Sequence, residues 1–195
     1  SREVLDRART PAVDPLEKAL RIYIRCWQSF GVSEGRWSSG WRYQRDFSRG
    51  SSIVINDWNR VDHLWSVAAR LKSVFIENDD ALKVIARFDA PGTLFYVDPP
   101  YLKETRSRQW RGAAYPFEMT TGEHHLLADA LHQVQGMVIL SGYPSTLYDE
   151  LYTDWTRLEK TVTTNGNNQA VECLWLSPQA TELSRLPLFS MENFR

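Results

Sequence analysis

Apolar residues in the first third of the chain recur at helical spacing. Leu16, Leu20, Ile24 and Trp27 fall on one helical face, and Pro15 suits a first turn, so a helix is predicted over residues 15–30. A second helix is predicted over 61–71. Between them, over residues 31–52, the periodicity is lost. Gly31, Gly35, Gly40 and Gly50 punctuate a run carrying Arg36, Arg42, Arg45 and Arg49, interleaved with Trp37, Trp41, Tyr43 and Phe47. Regular structure should thin out there. Beyond it, short apolar runs alternate with amphipathic stretches. Strands are predicted over 72–76 and 93–97, with a helix over 81–88 between them. The second of these strands is apolar from Leu94 to Val97, as in a strand covered by helices on both faces. A helix over 122–134 carries Leu126, Leu127, Ala130 and Leu131 on its inner side, followed by a strand over 137–141 and a short helix over 146–152. Strands over 157–163 and 170–176 flank Asn165-Gly166-Asn167-Asn168, and Asn-Gly between alternating strands signals a hairpin. The expected fold class is α/β, with a mostly parallel sheet closing in a C-terminal antiparallel hairpin.

Composition narrows the field only a little. At 195 residues the chain can bury one substantial core. No apolar run reaches membrane-spanning length and no secretory signal opens the sequence, so no membrane partner is expected. Cys26 and Cys173 stand far apart and without a histidine at metal spacing, which fits a reducing compartment and predicts no metal site. His124, His125 and His132 lie in one predicted helix without a metal-ligand pattern, so surface or capping roles are expected for them. Ser141 ends a predicted strand, but Leu-Ser-Gly lacks the spacing of a nucleophile elbow. With a net charge of −1, a nucleic-acid binder must concentrate its positive charge locally.

The chemistry gathers in Leu94-Phe95-Tyr96-Val97-Asp98-Pro99-Pro100-Tyr101. A buried strand delivers Asp98 to its carboxyl end, where open α/β sheets place ligands. Pro99 and Pro100 fix the backbone and remove two N–H donors, so the Asp98 or Pro99 carbonyl can point outward with little local competition. An exocyclic amino group on a purine is a poor nucleophile, because its lone pair is delocalised into the ring. A carboxylate and a carbonyl that accept its N–H bonds favour a more tetrahedral nitrogen and fix its direction of attack. An aromatic ring beside them can stack on a base taken out of the duplex. Asp98, Pro99 and Tyr101 meet those needs in order.

In these residues the sequence resembles the Dam-like, D12-class family of N6-adenine-specific DNA methyltransferases. The family's Asp-Pro-Pro-Tyr motif is intact at Asp98, Pro99, Pro100 and Tyr101. The resemblance continues through Leu102 to Arg106, Tyr115 to Met119, His124, Val138 to Pro144 and Glu172 to Leu176, and covers roughly residues 71–178. It implies a partial Rossmann-like fold dependent on S-adenosylmethionine, double-stranded DNA as partner, and methyl transfer to N6 of a flipped adenine. A cytoplasmic setting, bacterial or phage-encoded, goes with it. Asp98 would also face the cofactor. Val74 to Leu82 is similar to the strand-to-helix turn that holds the cofactor adenine, with Asp80 as the acceptor for its amino group. Asp80 equally suits the N-cap of the helix that follows, and both roles are compatible.

Members of the family begin with a Gly-Gly-Lys element and a Phe-x-Gly-x-Gly turn for the cofactor's methionine part, and no Gly-x-Gly occurs in this chain. The N-terminal cofactor-binding segment is therefore expected to be missing, leaving a hole at the centre of the sheet. A longer protein or a partner chain would supply it. The organisation expected is a target-recognition region over 1–70, a catalytic core over 71–178 and a tail over 179–195. Arg36, Arg42, Arg45 and Arg49 fit DNA recognition, with a solvated basic loop as the alternative. Lys103 and Arg106, just after the motif, fit contacts to the flipped base or its backbone. Leu186-Pro187-Leu188-Phe189 is similar to the short peptides that engage the replicative sliding clamp, although packing against the protein's own core explains an apolar tail as well. The rival function is a non-catalytic DNA-binding or regulatory fragment derived from such an enzyme.

Overall fold

The structure is a computed structural model that describes residues 1–29, 40–43, 53–59, 61–106, 115, 117–163 and 169–184. It divides into two compact units, Ser1–Ile76 and Glu77–Arg195. Among the described residues no helix is long and apolar enough to cross a membrane.

In the first unit, α1 (Arg2–Ala8) starts where the Ser1 hydroxyl accepts from the Val4 N–H. It packs on α2 (Pro15–Gln28), which begins with Asp14 accepting from the Glu17 N–H at 2.7 Å and with proline in its first turn. Arg21 ties the two together by donating to the carbonyls of Thr10 and Pro11. After α2, Ser29 bridges Trp41, and the Trp58 indole of α3 (Ile53–Asn59) donates to the Trp27 carbonyl at 2.9 Å. Trp41 stacks on Tyr43, which stays exposed, and touches Trp58. α4 (His63–Leu71) follows the predicted helix closely. The strand expected over 72–76 does not form. Phe75 and Ile76 are 88% and 85% exposed, and without a neighbouring strand an apolar run gains no ladder hydrogen bonds.

The second unit opens with α5 (Ala81–Phe88) and β1 (Leu94–Val97). A short 3-10 turn (Lys103–Thr105) precedes α6 (Thr121–Gln133), which is started by a capping box between Thr120 and Glu123. Then come β2 (Met137–Gly142), α7 (Thr146–Leu151), β3 (Thr156–Thr163), β4 (Gln169–Leu176) and α8 (Pro178–Ser184). The sheet order is β1-β2-β4-β3. β1 runs parallel to β2, while β2–β4 and β4–β3 are antiparallel. The C-terminal hairpin is as expected. A mostly parallel sheet is not what the described strands form, because the run over 72–76 contributes no ladder.

The core gathers Val138 and Leu140 of β2 and Cys173 and Trp175 of β4 against Leu127, Ala128 and Leu131 of α6, with Tyr148, Tyr152 and Trp155 closing one end. α6 turns His124, Leu127, Ala128 and Leu131 inward, whereas Leu126, expected on that side, is 56% exposed. The chain enters β2 through a close approach at Gly136. A Cβ there would stand 2.7 Å from the Thr93 carbonyl oxygen, and the Asp89 carboxylate accepts from the N–H groups of Gln135 and Gly136. The tail expected beyond the sheet begins instead as α8, which packs on β2 and buries Ala180 and Thr181.

Candidate active site

The pairing of Val97 with Leu140 in the parallel β1–β2 ladder sets the next residues, Asp98 and Ser141, side by side at the carboxyl ends of their strands. The Ser141 hydroxyl lies 2.9 Å from Asp98 Oδ1 and 3.3 Å from the Val97 carbonyl oxygen. Asp98 itself is exposed, Pro99 is buried, and Pro100 and Tyr101 are half-buried. A carboxylate thus opens to solvent from a rigid, proline-fixed base. The Tyr101 ring meets Tyr143 edge-on, with centroids 4.8 Å apart and planes at 75°. Burial, and then the charge of the adjacent Asp98 carboxylate and a hydrogen bond to it, push the Tyr101 hydroxyl well above the usual phenol range. The Tyr143 hydroxyl is raised too, by burial first and then by Glu172.

Behind this layer lies a buried polar pair. His124 of α6 is 1% exposed, and its Nδ1 sits 3.0 Å from the Tyr148 hydroxyl. Burial lowers the His124 pKa, with Glu104 and Glu123 pulling the other way. Burial raises that of Tyr148, with smaller contributions from Tyr101 and Asp98. Surface or capping roles do not hold for His124, because its place on α6 points it at the core.

Arg106 is also buried. Its guanidinium donates to both carboxylate oxygens of Glu118, at 2.9 and 2.7 Å, and to the Tyr101 carbonyl. It stands 4.7 Å from the centre of the Tyr115 ring. A side chain expected on a DNA-facing stretch is therefore committed to a forked ion pair that braces the backbone of Tyr101. Lys103, in contrast, is exposed.

Asp80 caps α5, its Oδ1 accepting from the N–H groups of Leu82 and Lys83 at 3.0 and 3.2 Å. Both bonds go to one oxygen of an exposed carboxylate, so the residue can cap the helix and still accept from a ligand's amino group. Arg42 forms a half-buried ion pair with Asp57 at 2.8 Å. Arg36, Arg45 and Arg49, the Asn165–Gly166 turn and the Leu186 to Phe189 peptide lie outside the described residues. The second-unit site thus unites Asp98, Pro99, Pro100 and Tyr101 with Tyr143, for which the sequence leaves a base or cofactor contact and packing both open, with Ser141 and His124, to which sequence reasoning gave other roles, and with Tyr148 and Glu118, which it passed over. Only strand register and helix phase connect those partners to the motif.

The family model described as D12 class N6 adenine-specific DNA methyltransferase matches residues 45–165, a span that contains Asp98 to Tyr101 and every one of these partners. No curated protein matches the chain.

Proposed function

Since this chain belongs to the D12 class of N6 adenine-specific DNA methyltransferases, we propose that Asp98 and the Pro99 carbonyl are the acceptors that hold the amino group of a flipped adenine while it is methylated. S-adenosylmethionine, when bound, supplies a methyl group activated by its sulfonium. The chain's own residues do the rest. Asp98 accepts one N–H of the amino group and the Pro99 carbonyl accepts the other, which draws electron density toward the nitrogen and aims its lone pair. Tyr101 stacks on the extruded base, with Tyr143 supporting its ring. Once the nitrogen is methylated it must lose a proton, and Asp98 Oδ2 is placed to take it on toward solvent. Asp80 and Asp98 are the carboxylates this chain offers the cofactor.

The observation that carries this reading is the exposed carboxylate at the end of an apolar strand, followed by two prolines and an aromatic ring in the Asp-Pro-Pro-Tyr order. Arg36, Arg42, Arg45, Arg49 and Lys103 supply contacts to double-stranded DNA in this account, and Arg106 serves Tyr101 instead of a phosphate. A further segment or chain completes the cofactor site. Support for that comes from β1, which pairs only with β2 among the described strands and leaves Leu94 and Tyr96 exposed. In the complete protein, Asp98→Ala should abolish incorporation of tritiated methyl groups into DNA while leaving DNA affinity within about threefold. Near-normal incorporation by the variant removes Asp98 from the mechanism.

A further inference from the structure

An aspartate at the end of a strand ordinarily settles its carboxylate by accepting N–H groups from the residues that follow it. Asp98 has no such donor at the next two positions, because Pro99 and Pro100 have no N–H. The same prolines that free the carbonyls for substrate therefore leave the carboxylate without backbone donors at the two positions that follow it, and the Tyr101 hydroxyl is the local side-chain donor beside it. A carboxylate left to rotate about its last torsion would present either oxygen, or neither, to an incoming amino group.

A second donor comes from the neighbouring strand. Ser141 is 6% exposed, so water competes little for its hydroxyl. That hydroxyl has one proton and three partners in reach, Asp98 Oδ1 at 2.9 Å, the Val97 carbonyl at 3.3 Å and the Tyr101 hydroxyl, and of these the carboxylate is the charged one. The parallel ladder from Leu94 with Met137 to Val97 with Leu140 fixes the backbone up to the residues just before both, so the two side chains start from adjacent strand positions. Gly142, directly after Ser141, packs against Tyr148 and Trp175, where a Cβ would stand 3.1 and 3.3 Å from their rings, and this anchors the serine's other flank.

We propose that Ser141 is the positioning residue for Asp98: its hydroxyl pins Oδ1 and thereby fixes the plane of the carboxylate, leaving Oδ2 to receive the adenine amino group. The inference rests on the reading of Asp98 as that acceptor. Ser141 touches no reacting atom. Its contribution is to spare the carboxylate a search at the moment of reaction, so it acts on turnover and not on substrate affinity.

The test compares Ser141→Ala, Ser141→Thr, Asp98→Asn and the Ser141→Ala, Asp98→Asn double variant in the complete protein. Tritiated S-adenosylmethionine and unmethylated genomic DNA are the substrates, and thermal unfolding and DNA affinity by fluorescence anisotropy are measured alongside. Ser141→Ala should lower kcat by about 10- to 100-fold, the scale set by misplacing a catalytic group. KM for both substrates, DNA affinity and melting temperature should stay near wild type. Ser141→Thr keeps a hydroxyl and should restore most of the rate, and the double variant should be no slower than Asp98→Asn alone. Wild-type kcat in Ser141→Ala overturns the proposal. So does a loss accompanied by raised KM or a lowered melting temperature, which a merely structural serine would give. If Asp98→Asn itself turns over normally, the parent reading fails, whereas inactive Asp98→Asn beside fully active Ser141→Ala removes only the role of Ser141.

Discussion

Replacing Arg106 with methionine keeps most of the side chain's stem but deletes the guanidinium, and so strands a carboxylate. The side chains of Arg106 and Glu118 are 6% and 16% exposed, and the variant loses both bonds to Glu118 and the bond to the Tyr101 carbonyl. Breaking a buried ion pair from one side costs about 3–5 kcal/mol, because the remaining charge stays buried without its partner. Glu118 retains the Tyr115 N–H at 3.1 Å and some access to water, which places the expected loss near the lower limit, about 3 kcal/mol. Against a typical stability of roughly 5–15 kcal/mol, that is a large fraction. Urea unfolding should show a lower midpoint with little change in slope, and the melting temperature should fall by roughly 6–12 °C, at about 2–4 °C per kcal/mol for a chain of this size. Adding Glu118→Gln to the variant should recover part of the loss, since it removes the stranded charge. At temperatures where both proteins are folded, the salt dependence of DNA binding should match wild type. A loss below about 1 kcal/mol would mean that the pair behaves as an exposed one. A salt slope reduced by about one would return Arg106 to the phosphates.

Tyr101→Phe should keep most of the methyl-transfer rate and Tyr101→Ala should lose roughly 5- to 150-fold, the equivalent of about 1–3 kcal/mol of base stacking. Equal losses in steady-state rate would make the hydroxyl beside Asp98 the essential group. His124 gives a pH dependence. Its pKa is lowered in the fold by burial, so between that value and about 6.5 the unfolded chain binds a proton that the folded chain refuses. The stability it contributes is therefore fully present above about pH 6.5 and is lost as pH falls through the window below, at no more than about 1.4 kcal/mol per pH unit. Glu104, Glu123, Arg106, His125 and Tyr148 surround it and shape the same window. Chemical denaturation from pH 7.5 to 5.5 should show a shallower decline in His124→Phe than in wild type, and parallel declines would contradict the assignment.

The Asp-Pro-Pro-Tyr run at the end of β1 and the C-terminal hairpin were legible because each is local. Asp98 to Tyr101 are consecutive, and β3 and β4 show alternation on both sides of an Asn-Gly signal. Helix starts were legible for the same reason, Asp80 above all. What escaped depends on residues distant in sequence. Ser141 looked inert until the β1–β2 register placed it beside a carboxylate 43 residues away. Arg106 read as a contact to the flipped base or its backbone because its carboxylate partner stands 12 residues on, and a charge pattern does not reveal burial. His124 depended on the phase of α6, which Leu126 misled: Leu126 and Leu127 are adjacent, so about 100° of helix rotation separates them and only Leu127 faces the core. The run over 72–76 has strand composition, but composition supplies no neighbour to pair with.

Product identity tests the central claim most directly. Unmethylated genomic DNA incubated with the complete protein and S-adenosylmethionine is digested to nucleosides and analysed by mass spectrometry, with Asp98→Ala in parallel. The account predicts N6-methyladenine as the methylated nucleoside, present with wild type and absent with the variant. Methylcytosine in place of N6-methyladenine, or N6-methyladenine formed equally by Asp98→Ala, would contradict it.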